Sequence, residues 1–417
     1  MPAGWTFSAP TPKADPRRFA LCRTIRGVVQ VDPERRACGC LFCWPAVIAL
    51  FAKQWAGSNY NIERPNNVKG RNTVTRKDIV LRAIERRDPP RLPITYCNRD
   101  FDCSDCIGVG YAPAAGFTPA EPGMTEWGFV WEVLDKTMGQ PKIHPLSNPE
   151  AITSYAPPAP YAAGRFDRLD TQIAQWPDRF IRFGLGISGF NQATFLRGYE
   201  NLLTDLYTDR ARAGRVIDFV FDFENQIIEQ ALRYPVDCVA FGDDWGTQKG
   251  LMVSLDLWRE VFRPRYAAQF DSIRKAGKKV WFHSCGDVSA IIGDLIDIGV
   301  DVIELLQPDL LGVEWLAREF GGKVCFCCSI DHQRRAISGT REEIFAYARF
   351  LRDTLGVFHG GFIAYVEDYA SLGMSERNYQ WIREAFHSLA TEDGSWDPTD
   401  PIDPTDPADR ADHPKAN

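Results

Sequence analysis

No stretch of this chain is apolar for long enough to cross a bilayer: the longest, Leu41 to Ala52, is broken by Pro45 and falls short of the roughly 18 residues a span needs. Met1 to Phe19 lacks the apolar central region of a secretory signal, so a cytoplasmic protein without a membrane partner is expected. Basic residues are in deficit as well. Lys and Arg number 48 against 55 Asp and Glu, giving a formal net charge of −7 with no basic block, which argues against nucleic acid as a partner. Cysteine, by contrast, is not scarce. Twelve of them in a chain without a signal point to reduced thiols and metal or redox chemistry rather than a disulfide framework. The groups Cys22, Cys38, Cys40, Cys43 and Cys97, Cys103, Cys106 have spacings that suit zinc or an iron–sulfur cluster, but neither holds the two C-x-x-C pairs of a structural zinc site.

The most informative segment is His283-Ser284-Cys285-Gly286-Asp287, directly after the strand-like run Lys278 to Phe282. Side chains alternate along a strand, so His283 and Cys285 leave on one face, and Gly286 lets the backbone turn away beneath them. Imidazole and thiolate are ligands that zinc favours, and a catalytic zinc takes three protein ligands and keeps one position open. The alternative is a buried thiol beside a hydrogen-bonded histidine. His332 and His359 stand alone and belong to no motif.

Three regions are expected: an N-terminal cysteine-containing extension over 1–74, a catalytic domain over 75–390, and a tail over 391–417. Repeated Asp-Pro pairs in that tail leave little to bury and imply disorder. Thr75-Arg-Lys-Asp78 is a capping signal that starts a helix. Apolar strands follow at Arg91 to Tyr96, Phe180 to Ile187, Cys238 to Gly242, Lys278 to Phe282, Val300 to Leu306, Lys323 to Cys328 and Gly361 to Val366, with helical stretches such as Leu255 to Ala276, Val288 to Ile298 and Thr340 to Leu355 between them. Residues 108–126 read as a loop. Such alternation predicts an α/β fold with a parallel sheet, and its length suits a (β/α)8 TIM barrel, whose chemistry sits at the C-terminal strand ends. Those ends carry Asp243 and Asp244, His283 and Cys285, Gln307 and Asp309, Cys327, Cys328 and Asp331, and Glu367 and Asp368. Adjacent like charges are expected to raise the pKa of Asp243 or Asp244 and suit the pair to acid–base work or substrate positioning. A helix cap and a solvated neighbour is their other reading. Trp245 and Gln248 are candidates to line the pocket.

Glu126-Trp-Gly128 with Trp131, Phe195 to Glu200, Gly242 to Gln248 running into Leu251 to Ser254 and Trp258-Arg259, Phe282 to Gly286, and Ser329 to Asp331 together resemble the uroporphyrinogen decarboxylase superfamily. The likeness spans about Thr75 to Leu389 and implies a TIM barrel. That superfamily includes porphyrin decarboxylases and corrinoid-linked methyltransferases. The decarboxylases carry an Arg-rich M-R-Q-A-G-R segment after the first strand, where this chain has Tyr96 to Asp100 with one Arg. The methyltransferase branch pairs a His-x-Cys with a third zinc ligand near the last strand. His283 and Cys285 match the first two, and the resemblance leaves Glu367, Asp368 or Cys328 for the third. It therefore implies a zinc-dependent enzyme moving a methyl group between a small molecule (a methyl ether, another methylated compound or a thiol) and a corrinoid on a partner protein, with Asp243, Asp244 and Gln248 as catalytic candidates. The rival expectations are a decarboxylase of a tetrapyrrole or other carboxylate, and a non-catalytic barrel that binds a corrinoid or tetrapyrrole.

Overall fold

In the computed structural model of the chain, residues 74–133 and 139–392 are described; Cys22, Cys38, Cys40 and Cys43, the extension as far as residue 73 and the tail from 393 lie outside them. Eight strands, β1 (Ile94–Cys97), β2 (Cys106–Gly110), β3 (Phe180–Ile187), β4 (Cys238–Gly242), β5 (Lys279–His283), β6 (Val302–Leu305), β7 (Cys325–Ser329) and β8 (Phe362–Glu367), form one sheet. The order is β1-β8-β7-β6-β5-β4-β3-β2, and every ladder is parallel. This is the expected TIM barrel. β2 was not expected: Cys-Ile-Gly-Val-Gly is short and glycine-rich, and its pairing with Phe180 to Gly184 makes a strand of residues that read locally as loop.

No ladder joins β1 to β2, and side chains stitch that seam. Asp105 accepts the Ile94 amide at 2.8 Å and grips Arg91 through two contacts of 2.7 Å, while the Ser104 hydroxyl accepts the Tyr96 amide at 2.9 Å. The helix Arg76–Glu85 starts at a Thr75–Asp78 capping box and lays Val80, Ala83 and Ile84 against the barrel interior, closing its N-terminal end. The stretch expected as one helix over Leu255 to Ala276 is two, Leu255–Val261 and Arg263–Lys275, because Pro264 fits only a helix's first turn.

Alternation sorts the strand residues into two cores. Cys106, Phe180, Cys238, Trp281, Val302, Cys325, Cys327 and Ile363 fill the interior. Val109, Phe183, Phe241, Phe282, Leu305, Phe326, Cys328 and Val366 face the surrounding helices, where each large apolar side chain contributes about 1.5–3 kcal/mol on burial. An ion pair crosses the interior: Arg182 on β3 meets Glu304 on β6 at 3.0 Å and lies over the Trp281 ring.

Candidate metal centre

The loops after β4 and β5 are locked together before any donor is placed. Ser284 Oγ accepts the Trp245 amide at 2.9 Å, Cys285 O accepts the Gly246 amide at 3.1 Å, and Thr247 O accepts the Asp287 amide at 2.8 Å. A Cβ on Gly246 would lie 2.5 Å from Gly286 C, and one on Gly286 would lie 2.1 Å from Gly246 O. Two bare backbones are therefore required where the loops cross, and Gly286 also has a φ of 78°.

This crossing brings Asp244, His283 and Cys285 together, one potential ligand atom from each lying within 4.8 Å of the others. His283 Nε2 is 3.4 Å from Asp244 Oδ1 and 3.5 Å from Cys285 Sγ, and its Nδ1 is 3.2 Å from Glu304 Oε1. Asp244 Oδ1 also accepts the Cys285 amide at 2.8 Å, and Gln307 Oε1 accepts that of Gly286 at 2.9 Å, so ligand loop and carboxylate are mutually fixed. Burial opposes protonation of His283, but hydrogen bonds to Asp244 and Glu304 outweigh it and lift the imidazole to about 10. Burial would raise Glu304, yet the His283 hydrogen bond and the Arg182 guanidinium hold it below the ordinary carboxylate range.

These residues fit zinc. Nitrogen, sulfur and oxygen donors are the set it takes, and tetrahedral bonds of 2.0–2.3 Å separate neighbouring ligands by about 3.4–3.8 Å, the spacing seen around Nε2. A carboxylate on the other ring nitrogen is the usual support of a metal-bound imidazole, fixing both tautomer and orientation. Metal binding needs the neutral ring, so an ion here displaces a proton that Asp244 and Glu304 otherwise stabilise.

Alternation turns two of the other three expected ligands, Asp368 and Cys328, away from the barrel interior. Glu367 ends β8 on the interior face and is buried outside the three-donor group; burial pushes it up to about 7 against hydrogen bonds from Tyr365 and Tyr369, with Glu304 raising it and His283 lowering it. Asp368 points the other way, pairing with Arg99 at 3.3 Å and capping Ala370. Cys328 packs among the helix-facing residues of β7. Asp368 and Cys328 thus cannot share an ion with His283, and the third donor of the group is Asp244 from the adjacent strand. Asp243 faces outward too. It accepts the Phe190 and Asn191 amides at 2.9 and 2.8 Å and the Tyr266 hydroxyl, so it caps the helix Gly189–Arg197 from another strand. Its pKa is raised well above the usual range, but by burial first, opposed by those hydrogen bonds and assisted by Glu224; its neighbour Asp244 is not among the causes. Gln248 is exposed on the turn of the hairpin after β4, and Trp245 is packing, stacked on Phe190 at 4.5 Å. Cys97 and Cys106 lie on the interior while Cys103 belongs to the outer core, so that trio forms no donor group. Asp331 caps its own turn through the Gln333 and Arg334 amides, and His359 is exposed beside Asp88.

Sequence reasoning missed Arg182 and Glu304. A signal existed for both: an ionisable residue in the middle of an otherwise apolar strand must have a buried partner.

Fold and site together define a TIM-barrel protein with a candidate metal centre at the C-terminal strand ends. The family model for uroporphyrinogen decarboxylase (URO-D) matches residues 131–388, more than half the chain, and the chain belongs to that family. No curated protein matches it by sequence. Among solved structures, a methyltransferase from Methanosarcina mazei is 13% identical with a TM-score of 0.60, the match covering 76% of this chain and 99% of that one; it shares the fold. A D-psicose 3-epimerase solved in the presence of D-fructose is also 13% identical, with a TM-score of 0.35, the match covering 57% of this chain and 85% of that one.

Proposed function

We propose that this chain is a zinc-dependent methyltransferase that moves a methyl group between a small molecule, a thiol or a methylated compound such as a methyl ether, and a corrinoid carried by a partner protein. The observation that carries the reading is the convergence of Asp244, His283 and Cys285 with Glu304 behind the imidazole. When bound, zinc supplies Lewis acidity, lowering the pKa of a substrate thiol or polarising an ether oxygen. The chain's own residues do the rest. Cys285 and Asp244 bring negative charge, and Glu304 holds the proton on His283 Nδ1 so that Nε2 is the donor. The apolar interior wall of Trp281, Val302 and Leu306 excludes water, strengthening each of these interactions.

The decarboxylase reading is less well supported, since the lone Arg of the Tyr96 to Asp100 segment is engaged. Arg99 binds Asp368 and Glu376 and stacks on Tyr379 at 3.4 Å, leaving no guanidinium cluster there to clamp carboxylates.

Elemental analysis of the purified full chain tests the proposal. About one zinc per chain is expected, and Cys285→Ala should lose most of it with an unchanged far-UV circular dichroism spectrum, since a barrel of this size does not depend on an ion to fold. X-ray absorption at the zinc edge should show one sulfur among nitrogen and oxygen neighbours. A metal-free wild type would favour the decarboxylase, and full zinc in the Cys285 variant would remove that thiol from the site.

A further inference from the structure

The interior of a TIM barrel is ordinarily filled by layers of inward-pointing side chains. On one side of this barrel the layers are missing. Beyond Cys106 and Phe180, which belong to the interior core, alternation turns Gly108 and Gly110 of β2 and Arg182, Gly184 and Gly186 of β3 inward. The outward-facing residues of β3 are buried, whereas Gly108 is exposed and Arg182, Gly184 and Gly186 are half-buried. An inward face more open than the outward one marks a cleft that enters the barrel along these two strands. A Cβ on Gly184 would meet nothing nearer than 3.8 Å and one on Gly186 nothing within 4 Å, so no described side chain fills the space in front of them.

Arg182 lies at the deep end of this glycine wall. Its Nη1 is 3.0 Å from Glu304 Oε2, and Glu304 Oε1 is 3.2 Å from His283 Nδ1, so one carboxylate and one imidazole separate the guanidinium from the donor group. Glu304 also accepts the Trp281 indole N–H at 2.7 Å and is thus shared among three groups. The guanidinium is not used up by this contact: among the described residues its Nε has no hydrogen-bond partner, and the side chain is 15% exposed. It stays in place because its face rests on the Trp281 ring, 4.6 Å from the centroid. A guanidinium offers only donors, in one plane, so the group that completes it must be an acceptor, and the fork matches a carboxylate.

We propose that Arg182 binds a carboxylate of the substrate, which extends from the Asp244, His283 and Cys285 group along the glycine wall of β2 and β3. The inference rests on the proposed function and narrows its substrate class to a thiol or methylated compound that carries a carboxylate at the end away from the reacting atom. The glycines make the room and Arg182 supplies the charge.

The test uses the full-length protein loaded with cobalt(II), titrated with 3-mercaptopropionate, 6-mercaptohexanoate and the methyl ester of each, and followed by thiolate-to-cobalt absorbance. In wild type at least one acid should bind roughly 10-fold more tightly than its own ester, the scale of a charge-assisted hydrogen bond. Arg182→Met should lose that preference and bind the esters as before. Gly184→Val leaves Arg182, Glu304 and the three donors in place but fills the cleft, and it should lose the preference too; it carries the test alone should the Arg182 variant fail to fold or to hold cobalt. A preference that survives in either cobalt-loaded variant would mean that the carboxylate is held by the metal or elsewhere, and would overturn the inference. Failure of the wild type to take up cobalt or zinc would overturn the proposed function and this inference together. Normal uptake with no preference at either length would overturn this inference alone.

Discussion

Two neighbouring carboxylates, Asp243 and Asp244, leave the end of β4 on opposite sides of the backbone, and their chemistry separates accordingly. Asp244 faces the barrel mouth, 3.4 Å from the His283 ring and bonded to the Cys285 amide. Asp243 faces the helices and holds two amides and a tyrosine hydroxyl. Asn keeps the shape of each but exchanges an anionic oxygen for an N–H donor. Asp244→Asn should lower zinc affinity by at least about tenfold, on the scale seen when groups that support a metal site are altered, with the melting temperature little changed. Asp243→Asn should retain zinc and lose about 1–3 kcal/mol of stability, because one of its partners faces a donor after the change. Zinc content and thermal melting of the two variants check this pair; equal behaviour would mean that the division across the strand has no energetic meaning.

Among the secondary-structure elements, Glu224 on the helix Arg210–Ala231 is the clearest conflict between burial and charge. It accepts the Gly189 amide at 2.7 Å and the Gln269 amide group at 3.0 Å, yet burial pushes it up to about 7 in spite of both. A carboxyl raised from 4.5 in the unfolded chain to about 7 in the folded one binds its proton more tightly when folded. Its contribution to stability is therefore greatest below about pH 4.5 and is lost as pH rises through 7. The full loss is on the order of 3 kcal/mol. Glu224→Gln removes this titration, and Gln269 can turn its otherwise unpartnered Oε1 toward the new amide. Urea unfolding at pH 5.5 and pH 8 should find the variant gaining on wild type by about 2 kcal/mol across that interval. A difference that does not change with pH would show that Glu224 titrates normally.

Closure of the whole barrel depends on a seam that backbone ladders do not span. Asp105 joins β1 to β2 through the Ile94 amide and Arg91, whose guanidinium is buried with it. Removing one partner of such a pair leaves a buried charge uncompensated, at about 3–5 kcal/mol. Asp105→Asn should therefore lower the melting temperature by several degrees while the protein that remains folded takes up as much zinc as wild type, because the seam and the Asp244, His283 and Cys285 group lie at different strands. Loss of zinc from folded Asp105→Asn protein would mean that the donor geometry depends on closure at the seam.

The architecture was legible in the chain because alternation of apolar strands and amphipathic helices is a local pattern, and seven of the eight strands carry it plainly. The eighth, Cys106 to Gly110, is a strand only because β3 lies beside it. The pair His283 and Cys285 was legible for the same reason: two residues apart on one strand is one face of that strand. The third donor was not. The family likeness directed attention to Glu367, Asp368 and Cys328, while the carboxylate that reaches the imidazole, Asp244, comes from a strand that ends some forty residues earlier and is brought there by the crossing of Gly246 and Gly286. Likewise, nothing in the local sequence distinguishes His332, buried against the Tyr369 ring, from His359, exposed beside Asp88. Sequence determined which elements form and which side chains share a face, since period and spacing act within one element. Tertiary structure alone decided which faces meet and which polar atoms remain unpaired, because those are set by distances between residues far apart in the chain.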